Sequence, residues 1–159
     1  MKFQRAIRQH GTSTRHPRRG VAVVEGAIVL VVFLLILFGM LDLGLLVLNY
    51  NTMCEAARRL ARVAIVHGRM AAPAQTVWGP DSVGGNASDG SQYANALSPE
   101  LVTFDLKSVN YSIQWPSGTN QPDDPVQVTL TYRYSPILPY VLGTQTIPIQ
   151  AVSTMSVQH

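Results

Sequence analysis

Few side chains in this 159-residue chain combine a type and a spacing that could do chemistry. Glu25 stands five residues after Gly20, beside the basic pair Arg18-Arg19 and directly before a long apolar run. A carboxylate at the start of a helix faces the favourable end of the helix dipole. The simpler reading of Glu25 is an acid at a membrane boundary whose side chain reaches water. Asp42 is the one charge inside the run, with the small residues Gly39 and Gly44 nearby. Two readings of it stand: an outer-leaflet acid reaching the surface, or a polar contact with another membrane helix that approaches over the glycines. Cys54 has no His or acid at catalytic spacing and reads as a small packing residue, while His10 and His16 lie in a basic tail without Cys or carboxylate neighbours. Asp123-Asp124 could touch a cation, but two adjacent acids seldom form a site alone. No Ser/His/Asp set, no Cys/His metal spacing and no phosphate-binding glycine loop is present. The expectation is a protein that is not an enzyme, with no cofactor and no metal.

The element that must position these groups is the run itself. Gly26–Leu48 comprises 23 residues, nearly all Val, Leu, Ile, Phe, Ala or Gly. At 1.5 Å per residue it covers roughly 34 Å, enough to cross a hydrocarbon core of about 30 Å. A lone spanning segment must be helical, because lipid offers backbone groups no partners. Residues 1–19 hold Lys2, Arg5, Arg8, Arg15, Arg18 and Arg19 and no acid, whereas the remainder holds six basic and nine acidic residues. The basic flank keeps the N-terminus in the cytoplasm and places the C-terminal part outside. A twin-arginine export signal is a weaker alternative, since the run is too long for such a segment and no A-x-A site follows it. Residues 70–159 carry only Lys107 and Arg133, which argues against nucleic-acid binding. The single cysteine excludes an internal disulfide framework.

Beyond Tyr50 the helix continues as an amphipathic one. Met53, Ala56, Ala57, Leu60 and Ala64 share a stripe, Glu55, Arg58, Arg59 and Arg62 lie opposite, and Gly68 is the stop. Residues 69–99, rich in Ala, Gly, Pro, Ser and Asn, read as a linker with one helical turn around Gln92–Leu97. Period-two alternation then predicts three strands: Val109/Tyr111/Ile113/Trp115, Val126/Val128/Leu130/Tyr132/Tyr134, and Ile147/Ile149/Ala151/Ser153/Met155/Val157. The apolar connection Ile137–Leu142 packs over the sheet edge, lies on the membrane or meets a partner. The predicted fold class is α+β: a long N-terminal transmembrane helix extending into an amphipathic helix, followed by a small antiparallel β-sheet domain. Its divisions are a basic cytoplasmic leader 1–20, the helix 21–68, the linker 69–99 and a periplasmic sheet domain 100–159. The Met53 stripe is the expected cover for the sheet.

The order Arg18-Arg19-Gly20, Val24-Glu25, a Leu/Val/Ile run, Gly39-Met40-Leu41-Asp42-Leu43-Gly44 and then an Ala/Arg-rich helix over 51–64 resembles the TadE-like pseudopilins of tight-adherence (Flp) pilus systems. The resemblance covers about 50 residues. It implies a prepilin-like N-terminus cut by an aspartic membrane peptidase between Gly20 and Val21. The new amine on Val21 would lie one turn before Glu25 and could pair with it, or Glu25 could meet the N-terminus of a neighbouring subunit. The implied partners are the lipid bilayer, the prepilin peptidase, other pilins or pseudopilins and the pilus assembly platform. The implied location is the bacterial inner membrane, single-pass. The alternative is a signal-anchored periplasmic binding or sensing domain whose leader is not processed.

Overall fold

The computed structural model describes residues 18–137, 143 and 146–158. Its first element is α1, Arg18–Ile65, a helix of 48 residues without a proline. The chain divides into two compact units, residues 1–37 and 38–159, and α1 runs through both. In the first unit every described side chain from Val21 to Leu37 is exposed. Valine and isoleucine are frequent there, and they are poor helix formers in water. An apolar solvent makes the helix obligatory for them, because only intrahelical bonds can satisfy the backbone.

In the second unit, α1 presents a stripe to a four-stranded antiparallel sheet. Met53, Ala56, Ala57, Leu60, Ala61 and Ala64 are buried in one hydrophobic cluster with Val109, Ile113, Val128, Leu130 and Ala151. Leu60 is fully buried in this cluster, with alanines on either side of it along the stripe. Full burial of such a leucine contributes about 2 kcal/mol. The stripe expected to cover the sheet does so.

The sheet order is β1-β2-β3-β4, with β1 Val83–Asn86, β2 Val109–Gln114, β3 Pro125–Tyr134 and β4 Ile147–Ser156. Each of the three predicted alternations coincides with one of β2 to β4, and the apolar positions turn inward. Registers such as Tyr111↔Leu130 and Leu130↔Ala151 stack these inward positions across the sheet. The predicted turn at Gln92–Leu97 is a short helix, α2, capped by the Ser91 hydroxyl and burying Ala94 and Leu97.

Two expectations need correction. The stretch read as a linker, 69–99, contains β1, which pairs with β2, and it buries Trp78 and Ala87. Val83-Gly84-Gly85-Asn86 lacks an apolar alternation, so composition alone reads it as a loop. A β-carbon at Gly85 would crowd the Asp89 carboxylate and come within 2.8 Å of the Tyr111 hydroxyl, so a larger residue there would displace that hydrogen-bonded pair. Gly79 lies against the Trp115 indole, where a β-carbon would meet a ring carbon at 2.6 Å, and its φ is +83°. The second correction concerns the leader: α1 already includes Arg18 to Gly20, so the helix begins before the proposed boundary at Val21. The rest of the leader, including His10 and His16, lies outside the described residues, as do residues 138–142 of the apolar connection.

Candidate functional site

Gly20, Val21, Val24, Glu25 and Ile28 line a shallow surface along one side of α1 in the first unit. All are exposed. A β-carbon at Gly20 would meet nothing within 4 Å, so the fold of this chain does not demand glycine at that position. Within a helix, glycine instead weakens the local turn by about 1 kcal/mol relative to alanine. The peptide bond after Gly20 therefore sits at a locally weakened turn of the helix. Glu25 stands one turn beyond Val21, on the same side.

Asp42 is the residue whose role the structure changes most. It is only 3% exposed, and it is turned into the second unit's own sheet domain. Its Oδ1 accepts from the Tyr134 hydroxyl at 2.9 Å and from the Ile137 backbone N–H at 2.8 Å. Burial, and after it the hydrogen bond and charge of Asp42, push the Tyr134 hydroxyl up to about 12, so it stays a donor. The surface-reaching reading of Asp42 is thereby corrected: a carboxylate in an apolar run needs donors, and the end of β3 supplies them. Gly39 and Gly44 have open space where a β-carbon would stand. Tyr134 and Ile137 were missed as partners of Asp42. The signal was there in Tyr134, an inward-facing strand residue with a hydroxyl, but nothing in the spacing links position 42 to position 134.

The opposite side of α1 changes character along its length. Met40, Leu41, Leu43, Leu45, Val47 and Leu48 are exposed and apolar. From Asn51 onward the exposed residues are polar, with Glu55 and Arg58 paired at 2.8 Å. Arg59 reaches Glu100 at 2.5 Å. These arginines thus have acidic partners on their own chain, in keeping with a solvated face. Cys54 is half-buried against the core.

The remaining candidates are structural. Asp124 accepts from the Thr119 hydroxyl and the Gln121 N–H, which hold its carboxyl below the usual range and organise the turn before β3. Asp89 accepts from the Ser91 N–H at 2.8 Å and from the Tyr111 hydroxyl at 2.9 Å, tying the β1 connection to β2. Among the described residues no group of His, Cys, Asp and Glu could hold a metal ion.

One helix among the described residues is long and apolar enough to cross a membrane, Gly20–Ile65. This fits a single-pass anchor. Residues 20–62 match the family model of TadE-like proteins, which bears out the resemblance over that segment. The match begins at Gly20, includes Glu25 and Asp42, and ends within the amphipathic stripe. No curated protein and no solved structure matches the chain.

Proposed function

We propose that this chain is a membrane-anchored, pseudopilin-like component of tight-adherence pilus assembly, and that it is not an enzyme. The observation that carries the reading is the TadE-like match over residues 20–62. It falls on a helix whose first unit makes no use of Gly20 in its own packing. In this reading the N-terminus is cytoplasmic, the sheet domain lies outside the inner membrane, and prepilin peptidase cuts between Gly20 and Val21. Local weakness of the helix at Gly20 lowers the cost of unwinding the bond for the peptidase. The amine left on Val21 is then one turn from the Glu25 carboxylate, which can pair with it or with the amine of a neighbouring pilin-like subunit.

Mass measurement of the protein isolated from membranes tests the cut, with a mature N-terminus at Val21 expected. Gly20→Leu should leave the leader attached. A mature N-terminus at Met1 in the unmodified protein would instead favour an unprocessed signal anchor carrying a periplasmic binding domain. Glu25→Ala separates cutting from assembly: processing should persist while piliation is lost. A reporter fused after His159 should be active only if it folds outside the cytoplasm.

A further inference from the structure

We propose that the end of the sheet domain nearest the membrane, around Tyr134 and Ile137, is seated in the outer leaflet and touches acyl chains. This rests on α1 being a membrane anchor, and it adds a second lipid contact that the helix alone does not provide.

The depth follows from the helix. Glu25 is the last charge before the apolar run, and Asp42 comes 17 residues later. At 1.5 Å per residue these positions are only about 25 Å apart, less than the ~30 Å of hydrocarbon. A core that begins at Glu25 therefore ends three or so residues beyond Asp42, and helix tilt moves that limit further along the chain. Adding the headgroup layers brings the outer boundary to roughly the level of Tyr50 and Asn51. That is where the exposed side of α1 turns polar, after Leu48, and a tyrosine at this level suits an interface.

Ile137 shares the depth of Asp42, because its N–H lies 2.8 Å from the Asp42 carboxylate. Its side chain is 52% exposed. On the far side of the helix at the same level, Met40, Leu41 and Leu43 are also exposed. Apolar side chains are thus exposed on both the helix and the sheet domain at this level of the second unit.

Non-helical backbone is tolerated at such depth only where protein satisfies it. Asp42 does this, accepting the Ile137 N–H and the Tyr134 hydroxyl while shielded from lipid itself. A carboxylate within an apolar run is expensive without donors, and free N–H and hydroxyl groups at this depth are equally so. Each side of the contact makes the other acceptable.

The test uses the full chain with Cys54→Ser, reconstituted in phosphatidylcholine nanodiscs, with single cysteines at Ile137, Val47, Leu34, Val102 and Val152. A bimane label at Ile137→Cys should be quenched by phosphatidylcholine brominated near the top of its acyl chains, as at Val47→Cys. Labels at Val102→Cys and Val152→Cys should not be quenched. Ile137→Cys should resist a water-soluble maleimide as Leu34→Cys does. Labelling of Ile137→Cys as fast as Val102→Cys, without quenching, would overturn the proposal while leaving the anchor intact. Fast labelling at Leu34→Cys as well would overturn both. Protection of Ile137→Cys without lipid quenching would assign the surface to a protein neighbour and overturn it too.

Discussion

The two ends of α1 are one helix written for different surroundings. Between Val21 and Leu37 its residues are mostly large, apolar and exposed on every side. Between Met53 and Ala64 one stripe is buried and rich in alanine, and the other side carries Glu55, Arg58, Arg59 and Arg62. The first pattern suits a surrounding that wets all faces alike, as acyl chains do. The second suits a flat partner on one face and water on the other. The difference lies in side-chain size as much as polarity, since small residues permit close approach to a sheet whereas bulky ones cover the backbone against lipid.

Breaking the buried stripe should have the largest effect. Leu60→Asp places an unpaired charge at a fully buried position, at a cost of about 4 kcal/mol or more. The sheet domain should become protease-sensitive, while carbonate extraction still finds the chain in the membrane. An equivalent change at exposed Leu34 should reverse the outcome, impairing insertion and leaving domain packing alone.

The Asp42 contact sharpens the comparison where the two patterns meet. Asp42→Ala strands the Ile137 N–H and leaves the buried Tyr134 hydroxyl only the Asp42 carbonyl at 3.5 Å, a loss of about 2–4 kcal/mol in the melting of the sheet domain. Asp42→Asn keeps an acceptor and should lose less than half as much. A smaller effect is expected from Gly79→Ala, which pushes a methyl into the Trp115 ring at a left-handed backbone position. Its cost is about 1–3 kcal/mol, without change in membrane insertion.

Acid should act locally. Hydrogen bonds from the Ser91 hydroxyl and N–H, and from Tyr111, hold the exposed Asp89 carboxyl below its ordinary 3.8. Its contribution is present above pH 3.8 and is lost as pH falls through the lowered value. Amide exchange over residues 86–91 should rise in that acidic window and stay unchanged near neutrality, and Asp89→Asn should flatten the response. Arg59→Ala should be the mildest change. Its bond to Glu100 is partly exposed, and thermal melting should show a loss below about 1 kcal/mol.

Both patterns of α1 and the three long strands were legible because each follows a single period along the chain. Strand β1 was not, because glycine at 84 and 85 erases the alternation, and the space at Gly85 is limited by the Asp89 carboxylate together with Tyr111, far along the sequence. Asp42 was legible as an anomaly and not as half of a contact. Its partners are 92 and 95 residues away. A local pattern can show that a charge needs donors, but the topology of β3 decides which donors arrive.

The carbonyl of Ile65, at the end of α1, accepts from the Gln158 N–H just beyond β4. The sheet domain is thus fastened to the helix at two levels, here and at Asp42, separated by roughly 34 Å of helix. Tension along α1 would be shared between the two fastenings and the buried stripe between them, so the joint is loaded in shear. A single fastening would let the sheet peel away one contact at a time. Cutting the Gln158 attachment should therefore matter little at rest and far more under an axial pull.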